Sequence, residues 1–199
     1  SSDEKLIAQA PPVNGRVCKA TVDALASCVN GQPKPLTMRL TTDPCEECGS
    51  WPVVIEKGPP LAGGGGRQAA DPATDPVFTP AAFTFFRCDL NPGPQTVENV
   101  QPQGVPGLFH VRIGDTIFEN QITVFRIDAV SLTPAAICAD GTATAAAVAV
   151  TTPPGQAVVW SLAGDPLDCT LTTVGNTAVI APGGRGGLVT VRATGYADG

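Results

Sequence analysis

From Ala129 onward the chain consists of strand-length runs whose side chains alternate between two faces. The runs are Ala129-Val130-Ser131-Leu132-Thr133-Pro134, the small and β-branched residues up to Val150, Val158-Val159-Trp160-Ser161-Leu162, and Leu188-Val189-Thr190-Val191-Arg192-Ala193-Thr194. Turn residues such as Ala139-Asp140-Gly141 separate them. Alternation with period two, interrupted by Gly, Pro or Asp every 8 to 12 residues or so, is the pattern of a two-layer β sandwich centred here on Trp160.

Composition extends that reading to the whole chain. Gly 22 and Pro 20 among 199 residues penalise helices, through backbone entropy and a missing donor, while suiting turn-rich β structure, so an all-β fold is expected. Charged residues make up 15%, against about 25% in average soluble proteins, leaving a surface of Thr, Ser, Gln, Gly and Ala that costs little to desolvate. Lysine is sparse (Lys5, Lys19, Lys34, Lys57), and lysine is what exposed sheet edges use to block pairing with another chain. Such a surface suits a subunit that packs against neighbours; it equally suits a secreted protein rich in Thr and Ala. A net charge of −6 without a Lys/Arg cluster argues against nucleic acid as a partner. No apolar run approaches the roughly 18 to 20 residues that span a bilayer, so no membrane span is expected. The start at Ser1-Ser2-Asp3, without Met, reads as a processed mature protein and fits secretion.

The cues Val-Ser-Leu-Thr-Pro (130–134), Ala-Asp-Gly-Thr (139–142), Val-Val-Trp-Ser-Leu (158–162) and Val-Thr-Val-Arg-Ala-Thr (189–194) resemble those of bacterial immunoglobulin-like domains. The resemblance covers the C-terminal third. It implies a surface or extracellular protein, with such domains strung in tandem as spacers, adhesins or fibre subunits. Two departures stand out: Cys138 and Cys169, which the pattern does not require, and a length about 30 residues short of the roughly 100 of antibody-type sandwiches, which leaves room for an absent edge strand.

Residues 1–12, ending in Pro11-Pro12, read as a flexible arm; 13–128 as a disulfide-containing β domain; 129–199 as an Ig-like sandwich, giving two tandem sandwiches with a long Gly/Pro-rich loop in the first. Arg16 to Val29 fits either a strand or a helical face. Asn30-Gly31 predicts a hairpin leading into the strand Leu36, Met38, Leu40. Trp51 to Ile55 and Phe83, Phe85 and Phe86 mark further strands. Between Lys57 and Pro80, the run Gly63-Gly64-Gly65-Gly66-Arg67 lacks the ending of a phosphate-binding loop, and with Asp71-Pro72 and Asp75-Pro76 it reads as an exposed flexible loop. Leu108 to Ile127 is the clearest hairpin, turning at Gly114-Asp115. Apolar positions are even at Ile122 and Val124, odd at Phe125 and Ile127, and even again at Val130 and Leu132. Because a one-residue slip exchanges strand faces, that double shift predicts a chain leaving one sheet for another, with a boundary near Asp128 and a stiff junction.

Seven cysteines (Cys18, Cys28, Cys45, Cys48, Cys88, Cys138, Cys169) in such a chain read as a disulfide framework and an oxidising compartment. Cys138 with Cys169 would staple the C-terminal sandwich. Cys18 and Cys28 lie on one face of a strand too long for a direct bond, so pairing of each with Cys45, Cys48 or Cys88 is the safer expectation. The odd count leaves one thiol for burial or for a link between chains. Cys45-Glu46-Glu47-Cys48 also has the spacing of half a zinc site or a redox pair, but a zinc site needs a second hook, and the flanking Pro44 and Gly49-Ser50-Trp51-Pro52 deny the thiols a helix N-terminus.

Catalysis has little to work with. The single histidine, His110, sits beside Arg112 on what reads as the solvent face of the hairpin. Carboxylate pairs are available at Asp115 with Glu119 and Asp165 with Asp168, and Asp165-Pro166-Leu167-Asp168 offers too few oxygens for Ca²⁺. The expectation is therefore a non-enzymatic extracellular structural subunit or adhesive spacer of the bacterial surface, without cofactor or metal, that self-associates into a filament or surface layer. Its partners would be copies of itself, or a cell-surface or matrix component, and Lys5-Leu6-Ile7-Ala8-Gln9 is the candidate donor strand. The competing class is a secreted module that binds carbohydrate or protein through the 57–80 loop.

Overall fold

The computed structural model describes residues 20–40, 49–58, 67–79, 83–87, 95–114 and 116–195, and within them the protein is all-β, without a helix. In chain order the strands begin with β1 (Ala20–Val22), β2 (Leu25–Cys28), β3 (Lys34–Leu40), β4 (Gly49–Lys57) and β5 (Gln68–Ala69). They continue with β6 (Val77–Thr79), β7 (Phe83–Arg87), β8 (Gln95–Gln101), β9 (Gly107–Ile113) and β10 (Thr116–Thr133). The last are β11 (Ala145–Thr152), β12 (Val159–Ala163), β13 (Thr170–Val174), β14 (Thr177–Ala181) and β15 (Thr190–Thr194).

Three sheets result: a four-stranded sheet β1-β3-β8-β6, a nine-stranded sheet along β13-β14-β11-β10-β9-β4-β5 with β2 on β10 and β7 on β4, and the two-stranded pair β12-β15. The first hydrophobic cluster lies between the four-stranded sheet and the β4, β9 and β10 part of the large one. Leu36 and Met38 meet Val111, Ile113, Ile122 and Val124 there, with Val100 and Phe78. Alternation does the sorting, because every second side chain of a strand points the same way. The second cluster sets Ala145, Ala147 and Ala149 of β11 and Ala178 and Ile180 of β14 beneath Trp160 of β12. Small residues on one layer leave the volume that the indole fills.

β10 joins the two clusters. Along one edge it pairs with β9 from Thr116 to Val124; along the other it pairs in parallel with β2 over Ile122–Phe125 and then antiparallel with β11 from Arg126 to Thr133. The apolar parity shift therefore marks a change of partner within one continuous strand, not a departure to another sheet. A register break between Ile127 and Ala129 leaves Asp128 as the extra residue, which is the geometry of a bulge. Its carboxylate accepts from the Thr152 hydroxyl at 2.5 Å and Arg126 Nε at 2.7 Å, and these bonds hold the Asp128 carboxyl below its ordinary range.

Two further expectations are corrected. Asn30-Gly31 does turn the chain, with Asn30 at φ 54° and the Gly31 N–H donating to Cys28 O, but it makes no hairpin. β2 and β3 lie in different sheets because β2 finds a parallel partner in β10 while β3 pairs with β1 and β8. Nor is 57–80 a single exposed loop. Residues 59–66 and Pro80 lie outside the described residues, but Gln68–Thr79 forms β5, a turn and β6, and Asp75, Pro76 and Phe78 are buried. The two Asp-Pro pairs build that turn: Asp71 Oδ1 accepts the Ala73 N–H, and Asp75 Oδ2 accepts the Asp71 N–H.

Candidate interaction groove

The C-terminal half is covered unevenly. Four strands, β13-β14-β11-β10, face only two, β12 and β15. β12 lies toward β13, and β15 lies toward β10. Direct cross-strand partners share a face, so Val130 opposite Ala149 and Leu132 opposite Ala147 point toward the core. Yet both alanines are fully buried, while Val130 is 43% and Leu132 36% exposed. The second layer covers these two side chains only in part.

A cleft of about 260 Å³ opens where the cover ends. Leu132, Ile137, Leu167, Cys169, Leu188 and Val191 line it, and Leu188 is 92% exposed. Among the described residues β15 pairs with β12, and β10 beyond Val124 pairs with no strand on the β9 side. At the rim Arg185 pairs with Asp165 at 2.8 Å, both about half exposed, a surface pair that contributes little.

Apart from Arg126 and Asp128 at the bulge, the outer face of the same four strands presents small and apolar side chains. Ala129, Ser131, Ala146, Val148, Val150, Thr172, Val174, Thr177 and Val179 share it by cross-strand register. Val150, Val174 and Val179 are exposed there, and the terminal strand β13 (TLTTV) ends the sheet with no charged side chain. Edges of that kind are prone to pair with other chains.

The residues considered for catalysis are engaged elsewhere. His110 is not on a solvent face: it is buried, with Nε2 bonded to Gly58 O at 2.9 Å and Nδ1 accepting the Asn120 N–H at 3.0 Å. That pattern sets the neutral tautomer with the proton on Nε2, because Nδ1 must be free to accept. The alternation was read correctly, but β9 is an interior strand between β4 and β10, and both of its faces are covered at His110. Arg112 Nε binds Glu56 at 2.6 Å, and Glu119 pairs with the buried Arg67. Asp115 lies outside the described residues. Asp165 accepts the Leu167 N–H as well as Arg185, so its oxygens are occupied by donors. Among the described residues no group of three His, Cys, Asp or Glu side chains is placed to hold a metal ion.

A buried charge that sequence reasoning passed over is Asp75. Its carboxylate takes Lys57 Nζ at 2.5 Å, the Asp71 N–H and the Thr74 hydroxyl. Burial works to raise the carboxyl, but the bond to Lys57, the backbone donor and the ammonium charge outweigh it and hold Asp75 below the ordinary aspartate range. A depressed native value contributes stability above the unfolded value near 3.9, and that contribution disappears as pH falls through the native one. Asp75→Asn should therefore cost about 1–3 kcal/mol at neutral pH. In urea unfolding the gap to the parent should close in acid; a gap constant with pH would contradict the assignment.

Cys28, Cys138 and Cys169 carry free thiols. The expected Cys138–Cys169 staple is not formed: Cys138 is exposed on the β10–β11 connection, whereas Cys169 is half-buried in the cleft lining. Burial raises the Cys28 thiol, and a Cβ at Gly195 would stand 2.1 Å from Cys28 Cβ, so β15 ends hard against β2. Cys18, Cys45, Cys48 and Cys88, and the segment Lys5–Gln9, lie outside the described residues.

No helix among the described residues is long and apolar enough to cross a membrane. No family model matches the chain, and no curated protein is similar to it in sequence.

Proposed function

We propose that the protein is a non-enzymatic extracellular structural subunit, built as two tandem β sandwiches of which the second is Ig-like, that associates with copies of itself. The observation that carries this is apolar surface left in water on the C-terminal unit: Val130 and Leu132 are exposed on β10, and Leu132 and the exposed Leu188 line the cleft. Apolar area left in water is worth roughly 25 cal/mol per Å² when covered, and an open strand edge supplies hydrogen bonds to whatever covers it. The sparsely charged outer face, and a β13 strand with no charged side chain, lower the cost of packing subunits side by side. The secretory setting rests on the seven cysteines and the low lysine content.

Negative-stain images of the full chain at increasing concentration test this. The reading expects particles that extend into filaments or sheets. Isolated particles at every concentration, together with saturable binding on a glycan array, would move the protein to the class of binding modules.

A further inference from the structure

We propose that the cleft of the C-terminal unit binds a straight-chain monocarboxylate, with its carboxylate at Arg185 and its alkyl chain along the apolar wall. The inference goes beyond self-association and does not depend on it, because every residue of the site belongs to one copy. The lining sets the chemical class. Leucine, isoleucine, valine, proline, alanine and glycine form the wall apart from the Cys169 thiol, and Arg185 is its one charged side chain. No aromatic ring lines the cleft to stack on a planar ligand, and no side-chain amide, hydroxyl or carboxylate lines it to pair with the hydroxyls of a sugar. A polar group carried into such a wall loses its bonds to water without replacement, whereas methylenes gain by burial. Taking about 30 Å³ for each carbon, as for a water molecule in the liquid, the cleft of about 260 Å³ holds a chain of roughly eight to ten carbons.

Arg185 supplies charge complementarity at the mouth. Asp165 engages its Nη1 at 3.4 Å and its Nη2 at 2.8 Å, which leaves the Nε–H of the guanidinium fork to a second acceptor. The side chain is half exposed, so a carboxylate reaches it while still partly hydrated. The loop that carries Arg185 is fitted onto a strained turn. Leu167 and Asp168 have φ of 51° and 61°, a left-handed conformation rare for a leucine. A Cβ at Gly183 would collide with the Leu167 carbonyl oxygen, and one at Gly187 with Leu167 Cδ1, so glycine alone lets the 183–188 loop press against this turn. The turn keeps Leu167 buried in the cleft wall, and the loop brings Arg185 and the exposed Leu188 to its edge. Backbone strain of this kind persists where the surrounding structure enforces it, and it clusters at ligand sites.

Isothermal titration calorimetry on the full chain, with decanoate, hexanoate and decanol each held below its aggregation limit, tests this. Decanoate should bind saturably at one site per chain. Hexanoate should bind at least about tenfold more weakly, since each buried methylene is worth up to about fourfold. Arg185→Gln should weaken decanoate about three- to tenfold, and Asp165→Asn, which removes the competing carboxylate, should strengthen it about two- to fivefold. Decanol binding should change in neither variant. Both residues are about half exposed, so neither substitution disturbs the core. Hydrogen exchange should slow with decanoate at 165–169 and 183–188, and stay the same at the 71–75 turn. Absence of saturable decanoate binding overturns the inference, as does saturable binding that leaves exchange of both segments unchanged. Equal changes for decanoate and decanol in the two variants overturn the placing of the carboxylate at Arg185. None of these readouts requires copies to associate, so a chain that assembles without binding decanoate, or binds it as a monomer, separates the two readings.

Discussion

His110→Ala is expected to destabilise the protein by about 3–5 kcal/mol, the range for removing a large buried ring. His110 is 1% exposed, so the substitution leaves a cavity in the middle of a sheet. Its hydrogen bonds contribute less, because Gly58 and Asn120 both lie in exposed positions where water can replace the ring nitrogens. His110→Phe restores the volume without the nitrogens and should cost only about 1–2 kcal/mol. Chemical denaturation of the pair separates packing from bonding. Equal losses in both variants would mean that the imidazole bonds, not the ring, hold this part of the fold.

The double substitution Val130→Asp with Leu132→Asp is expected to leave folding almost intact and to abolish association. Both side chains keep a third or more of their surface in water, so two carboxylates there stay solvated in an isolated chain. In a filled groove each would be buried without a partner, at about 1–3 kcal/mol apiece. Together that is about 2–6 kcal/mol, or roughly 30-fold to more than 10,000-fold in affinity. Circular dichroism should show unchanged β content while sedimentation shows loss of the larger species. Assembly at the parental affinity by this variant would place the interface elsewhere, the uncharged outer face of β11, β14 and β13 being the first surface to examine.

Local pattern carried much of the fold. Leu36 and Met38 alternate with polar residues and are buried as their spacing predicts, and Leu108–Ile113 pairs antiparallel with the first half of β10 as the expected hairpin does, with a register shift between Phe118 and Ile122. What the sequence withheld depended on contacts between distant segments. Asn30-Gly31 reads as a hairpin turn, but nothing local reveals that β2 will pair in parallel with β10, nearly a hundred residues away. The Asp-Pro repeats read as loop because both residues favour turns; that Asp75 is buried depends on Lys57 from another strand. The parity change at Phe125 correctly flagged the place where β10 changes partners. It could not distinguish a change of partner from a change of sheet, since both present an altered face.

The groove was half legible. Alternation placed Val130 and Leu132 on one face of their strand, and their cross-strand partners Ala149 and Ala147 share that face. That this face stays partly in water, 43% at Val130 and 36% at Leu132, depends on packing between distant strands that no local pattern reveals.

Light scattering across a wide concentration range bears most directly on whether copies of the chain associate. The account predicts a mass that climbs with concentration above the 20.2 kDa of one copy of this chain. A full chain that holds at the mass of one copy at every concentration would contradict it.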